Sequence, residues 1–313
     1  MSRTGILDNP VLVISVDTEL AWGFILDPEH EILGRLRQDP QKGRTGINLF
    51  LELLEKYCMP ATWAIVGQLF LSPEERRELV HREMPQFTEG WLDWNHHSSL
   101  GDDPLYCGED VVMKIKACAV EQEIGLHSFS HVLFSRCSRR VAESEIELGI
   151  KAAQKFGVNF RSFVFPDNQI GHLGVLKDRG FRIYRSEAQG YWARMTRRVM
   201  NEFIPPPVVP RYEDDIWHIE GSVEFGYPLL PMSELPGARF GLRRAIWSNK
   251  VFHVYLHPWS LLLNQGVVRD LDSFLSFAAR RRDEGRLEPM TMGGLADCLD
   301  SGRPHGERRQ ATP

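Results

Sequence analysis

The sequence predicts an α/β fold: a barrel of seven or eight parallel strands, each followed by a crossover helix. Three observations point there. Short apolar runs alternate with helical patterns along most of the chain, the order that builds a parallel sheet with helices packed on it. The length, 313 residues, suits one such barrel. No internal repeat or linker divides the chain, so residues 1–300 read as one domain and the polar residues 301–313 as a disordered tail.

The elements follow in order. Val11 to Val16 reads as a buried strand ending at Asp17, and Ile47, Phe50, Leu51 and Leu54 then fall at helical spacing. Ala61 to Val66 is the next strand, closed by Gly67. Glu74 to Gly108 is polar and aromatic, with a loop-like centre, GWLDWNHHSSLGDDPLY. Val111, Val112, Ile115, Cys118 and Ala119 form a helical face, and Glu123 to Leu126 leads as a strand into His127. A helix from about Arg139 to Phe156 stops at Gly157. Ser162 to Phe165 is a strand, Leu173 to Asp178 a short helix and Phe181 to Tyr184 a strand. Ile204 to Tyr227 opens proline-rich and is expected to be irregular there. Arg239 to Asn249 is predicted helical and Val251 to Leu256 a strand, while Leu271, Phe274, Leu275 and Ala278 mark a late helix.

Composition narrows the function. Apolar residues make up 42% of the chain, enough for a sizeable core, and the net charge of -5 mixes both signs. No basic field argues for nucleic acid. The cysteines Cys58, Cys107, Cys118, Cys137 and Cys298 are odd in number and form no C-x-x-C pair, which reads as free thiols in a reducing compartment. Met1 to Pro10 lacks the layout of a secretory signal, and no apolar run reaches the roughly 18 residues that span a bilayer. The expected location is the cytoplasm.

Polar residues stand just past predicted strand ends at Asp17, His127, Pro166 and His257. In an α/β barrel that rim carries the chemistry. Asp17 and Glu19 lie two apart, and on extended backbone both point the same way, as a metal ligand beside a general base would. Alone, such a pair is more often a turn or a helix cap. His127 and His131, four apart in H-S-F-S-H, can converge on one metal if a helical turn begins there; alone, they would more often be surface or capping histidines. Phe163 to Asn168 runs a strand into a proline-stopped loop whose Pro-Asp-Asn is strong turn chemistry. His253 and His257 share strand parity, but only His257 lies at the end, so His253 reads as a satisfied core histidine.

In order, these segments resemble the motifs of the NodB-homology (polysaccharide deacetylase) family. Asp17 and Glu19 look like a spaced form of its acidic first motif. His127-Ser128-Phe129-Ser130-His131 matches its His-[Ser/Thr]-x-x-His, and Leu256-His257 its terminal Leu-His. A-T-W-A-I-V-G is similar to its second strand. The resemblance runs from about Val11 to Pro258. It implies a distorted (β/α) barrel of seven or eight units and hydrolysis of an N-acyl group on an amino sugar. It further implies one divalent metal on Glu19, His127 and His131. Two imidazoles and a carboxylate suit zinc, with cobalt, nickel or manganese acceptable to the same donors. Asp17 resembles the base and His257 the acid. Asp167, Asn168, Trp22 and Arg185 are the expected substrate contacts, and Trp22, Trp91, Trp94 and Tyr106 are candidates to stack on sugar rings, although buried aromatics are commoner.

The chain departs from that pattern at its third motif. Val164 stands about where the family carries the arginine that orients the base, and Asp167 replaces the arginine of the spaced-acid branch. Arg161 and Arg185 are the candidate substitutes. The departure keeps two alternatives open: a glycan-binding barrel without turnover, and a metallohydrolase of a non-sugar amide.

Overall fold

A computed structural model describes residues 3–4, 7–82, 103–187, 200, 203–226, 233–262 and 265–302. The predicted loop tryptophans Trp91 and Trp94, and the tail from residue 303, lie outside the described residues. The strands are β1 (Arg3–Thr4), β2 (Val11–Thr18), β3 (Thr62–Ile65), β4 (Glu123–Leu126), β5 (Ser162–Val164), β6 (Ile183–Ser186), β7 (Arg211–Glu213), β8 (Ile216–Glu220), β9 (Val223–Glu224), β10 (Val251–Leu256) and β11 (Glu288–Met290). The helices are α1 (Glu31–Gln38), α2 (Gln41–Tyr57), α3 (Pro73–Arg82), α4 (Glu109–Lys116), α5 (Arg139–Ala153), α6 (Leu173–Asp178), α7 (Leu235–Ser248), α8 (Gln265–Asp283) and α9 (Met292–Ser301).

β2 is buried along its whole length, as expected of a strand covered on both faces in a parallel sheet. It pairs in parallel with β3 and β10, and the sheet continues through β4, β5, β6 and β8. β8 pairs with β6, and after Gly221 and Ser222 the same extended segment continues as β9, which pairs with β10. One stretch of chain thus bridges the two edges of the curled sheet and makes it a distorted barrel. Gly221 is required there because a Cβ would press 2.5 Å from the Tyr255 ring.

Strand parity sorts the core into layers. Leu12, Ile14 and Val16 face outward and join the large apolar cluster with Phe50, Leu54 and Phe274 from the surrounding helices. Val11 and Val13 face inward with Ile183 and Val251, and Met292, Leu295 and Leu299 of α9 close this end of the barrel. The same inward parity continues up β2 to Ser15 and Asp17, up β6 to Arg185 and up β10 to His253 and Tyr255. The barrel interior is therefore apolar at its amino end and polar at its carboxyl end.

One sequence expectation is corrected. The strand placed at Phe181 to Tyr184 lies two residues later, at Ile183–Ser186, which moves Arg185 into the strand and points it inward. The stretch that opens at Ile204 is irregular at first, as expected. It carries β9 and the antiparallel pair β7–β8, joined by Asp214 and Asp215 at φ 52° and 62°. Two successive positive-φ residues make the tight turn that matches strand twist, but Asp-Asp lacks the glycine that usually signals it. Among the described residues, no helix is long and apolar enough to cross a membrane.

Candidate active site

Asp17, at the end of β2, is 3% exposed. Arg185 donates Nη1–H to its Oδ1 and Nη2–H to its Oδ2, each at 2.6 Å. Burial pushes the Asp17 pKa up, but Arg185 outweighs it, with help from His257 and His127, and holds the carboxyl below its usual range. The guanidinium is itself fixed: Nε donates to Asn168 Oδ1 at 3.2 Å and Nη1 to Ser15 Oγ at 3.1 Å, while the group stacks 4.4 Å over the Tyr255 ring. Because Ser15 Oγ accepts from Arg185, its own proton goes to His253 Nε2 at 2.9 Å. His253 Nδ1 then donates to the Glu220 carbonyl at 3.2 Å. Burial and then Arg185 hold His253 neutral, its pKa lowered to about 3.

One expected substrate contact, Arg185, is thereby placed elsewhere. Arg185 is 1% exposed and spends its donors on Asp17, Ser15 and Asn168, so it is the charge partner of Asp17 and has no donor turned to solvent. The Asn168 amide oxygen serves that same guanidinium. Arg161, the other candidate, precedes β5 at the opposite end of the barrel and pairs with Asp297 at 2.6 Å. Trp22 is corrected too: it is 1% exposed, donates its indole N–H to the Tyr106 carbonyl and meets the Tyr106 ring edge-on at 5.3 Å. With the Arg76 guanidinium 5.8 Å over its ring as well, it has no face left for a sugar. Asp167 remains exposed at φ 49° in the turn after Pro166, and its charge reaches His131.

Glu19, His127 and His131 are buried and converge, with one donor atom from each lying within 4.8 Å of the others. Glu19 Oε2 is 3.5 Å from His127 Nε2 and 3.1 Å from His131 Nε2. No helical turn brings the histidines together, as the spacing had suggested. Ser128 and His131 adopt φ of 54° and 61°, and the segment folds back on itself. Glu145 of α5, fully buried, holds that shape. Its carboxylate accepts the Phe129 and Ser130 N–H groups at 2.8 Å each and the Ser130 hydroxyl at 2.6 Å. From the other side, the Gly67 and Gln68 N–H groups donate to the Ser128 and Phe129 carbonyls at 2.8 and 2.9 Å. Gly23 is a further local requirement, since a Cβ there would overlap the Glu19 carboxylate.

The donor set fits a divalent cation. His127 Nδ1 lies 2.8 Å from the Val164 carbonyl, which only accepts, so this nitrogen carries the proton and Nε2 presents a lone pair. That lone pair faces a carboxylate oxygen, an arrangement a cation between them resolves. Burial raises the Glu19 pKa, but the surrounding imidazoles, His257 first, hold it well below its usual value.

His257 follows β10, with Nε2 3.6 Å from Asp17 Oδ2 and 3.5 Å from Glu19 Oε1. Its ring stacks on Trp259 at 4.9 Å, and its Nδ1 lies 3.4 Å from Glu224 of β9. Burial lowers its pKa, but Glu19, Glu224 and Asp17 outweigh that and lift it to about 9. Glu224 and Glu145 escaped the sequence reading, since neither belongs to a motif and each acts on a residue distant in sequence, and the roles of Ser15 and Gly23 escaped it although both lie close to the acidic pair.

No protein-family model matches the sequence, and no curated protein matches it. Solved structures match the fold. A protein described as a polysaccharide deacetylase from Mycobacterium smegmatis superposes with a TM-score of 0.60 at 14% identity, covering 99% of each chain. One so described from Pseudomonas aeruginosa PAO1 gives 0.58 at 10%, covering 94% of this chain and 92% of that one. Puue allantoinase also gives 0.58 at 10%, covering 94% and 91%. The barrel is the fold that these proteins share.

Proposed function

From the polysaccharide deacetylase fold and this site, we propose that the chain is a metal-dependent N-deacylase acting on an N-acyl amino sugar. The observation that carries the reading is a meeting of three kinds of group: a carboxyl held below its usual range, Asp17; an imidazole lifted to about 9, His257; and the buried donors Glu19, His127 and His131. A zinc ion, when bound, would polarise the amide carbonyl and acidify a water. Asp17, oriented by Arg185, takes a proton from the attacking water. His257 Nε2 faces the same pocket and gives its proton to the departing amine nitrogen. Glu224 fixes the imidazole and keeps it charged until that step. The cytoplasm is the proposed location and a precursor of a surface glycan the proposed substrate. With Arg185 in place, the altered third motif no longer favours a barrel without turnover.

A second reading, hydrolysis of a non-sugar amide, is favoured by the allantoinase, whose fold matches as well as one of the deacetylases does. It gains weight because Trp22 and Tyr106 pack against each other instead of offering a sugar platform. Both readings are tested by offering zinc-loaded protein N-acetyl and N-formyl sugar nucleotides, lipid-linked sugars, short oligosaccharides and allantoin, with products read by mass. Acid release from an amino sugar, reduced about a hundredfold or more in Asp17→Asn, supports the first reading. Turnover of allantoin alone supports the second, and no turnover above the Asp17→Asn background contradicts both.

A further inference from the structure

α7 presents an outward stripe that no described residue covers. Phe240 is 46% exposed and Trp247 is 89% exposed. Arg243 and Arg244 lie between them, and the spacing puts all four on one side of the helix. Charge sets this face apart. Many of the arginines elsewhere are matched by acids, among them Arg35 by Glu31, Arg44 by Asp110, Arg139 by Glu143 and Arg179 by Glu147. α7 holds Arg239, Arg243 and Arg244 with no acid between Leu235 and Ser248, and among the described residues none of the three meets a carboxylate. Instead Arg239 and Arg243 crowd the Phe277 ring at 5.7 and 5.1 Å from its centroid, beside Arg281 of α8 at 4.9 Å, which also pairs with Glu284 at 2.6 Å, and Arg244 lies 5.8 Å over Phe240.

Exposed apolar side chains collect beside this stripe. Phe203 and Ile204 are 46% and 52% exposed, and the Pro205 carbonyl that follows them abuts α7 at Gly241. Of the other large exposed apolar side chains among the described residues, Leu26 and Met113 lie elsewhere and Met200 shortly precedes Phe203 in the chain. Scattered singly, such residues need no explanation, but a cluster does.

The chemistry selects the partner. An apolar protein surface would desolvate the guanidiniums without a counter-charge. A soluble polyanion would neutralise them and leave the Trp247 and Phe240 rings in water. An anionic bilayer takes both, placing rings at the interface and guanidiniums among headgroup phosphates. We propose that this face of α7 docks the protein on an anionic lipid bilayer. Docking is independent of the metal-site reading. Trp247 stands just before the start of β10 and His257 just past its end, so six residues at about 3.3 Å each, about 20 Å, separate the two functions.

The test is co-sedimentation of the full chain with phosphatidylcholine vesicles, with or without about one-third phosphatidylglycerol. The expected result is binding at least about tenfold stronger to the anionic vesicles and weakened by salt. Each paired substitution, Trp247→Ser with Phe240→Ser or Arg243→Gln with Arg244→Gln, should lower that binding about tenfold or more. Melting temperature and turnover of any soluble substrate should not change. Equal binding to both vesicle types, or binding that survives both pairs, overturns the proposal. So does retention on heparin without vesicle binding, or a dimer that either pair dissolves.

Discussion

Arg185 grips Asp17 through both carboxylate oxygens at 2.6 Å, and the two side chains reach each other across the barrel from β6 and β2. The fork fixes the orientation of the Asp17 carboxylate, and its charge opposes the burial that raises the Asp17 pKa. Arg185→Lys keeps a positive charge but gives up the planar two-pronged hold. The expected outcome is a folded protein with turnover lowered about tenfold or more and the acid limb of its kcat/KM profile moved to higher pH. Removing the charge altogether, in Arg185→Met, should cost about 3–5 kcal/mol of stability by leaving a buried carboxylate alone. An unmoved acid limb with wild-type turnover in Arg185→Lys would contradict the assignment.

Glu145 touches none of the proposed ligands, yet it holds the backbone between two of them. Glu145→Ala leaves the Phe129 and Ser130 N–H groups buried without an acceptor, at about 1–3 kcal/mol each. Zinc affinity should fall by about tenfold to a hundredfold, the scale of losing an outer support of a metal ligand. Glu145→Gln, which keeps an acceptor oxygen, should recover part of it. Zinc titration beside a melting curve separates this from general destabilisation: Glu145→Ala that melts lower but binds zinc as tightly as wild type leaves Glu145 a packing residue only.

The polar end of the barrel is unevenly legible in the sequence. Asp17, Glu19, His127, His131 and His257 can be read because each stands at a strand end, where one-dimensional spacing already implies a shared rim. Arg185 cannot be placed the same way. Its role depends on strand parity, and a two-residue error in the limits of β6 puts it outside the strand. Glu145 looks like any acid on an amphipathic helix until its burial is known. Glu224 sits in a two-residue strand after a proline-rich stretch, where no periodicity survives. The barrel itself is legible from its alternating runs; its closure through Gly221 is not, because one segment serves two strands.

His253 supplies a pH dependence of stability. Its pKa is about 3 in the folded protein and about 6.5 unfolded, so the unfolded chain binds the extra proton between those values. Stability from this group is complete above about pH 6.5 and is lost as pH falls, by about 1.4 kcal/mol per unit, or about 2 kcal/mol at pH 5. Urea unfolding at pH 7 and pH 5 should show the wild type losing about that much more than His253→Gln, which cannot be protonated there. Equal losses in the two proteins would mean that His253 carries no such term.

Asp167 is exposed at the mouth of the site, in a turn that its positive φ already explains. We expect it to contact substrate nonetheless, because its charge is felt at His131. Asp167→Asn keeps the turn and removes the charge. A raised KM or altered substrate preference with zinc content unchanged is the expected result, and unchanged kinetics would leave Asp167 as turn chemistry alone.

The measurement closest to the central claim is the zinc bound per chain, by native mass spectrometry, in wild type, His127→Ala and His131→Ala. Glu19, His127 and His131 offer three buried donors within 4.8 Å of one another, and each variant removes one of the two imidazoles. One zinc per wild-type chain, with most of the affinity lost in either variant, is the predicted result. Stoichiometric zinc retained in both variants would contradict the site and the hydrolytic mechanism built on it.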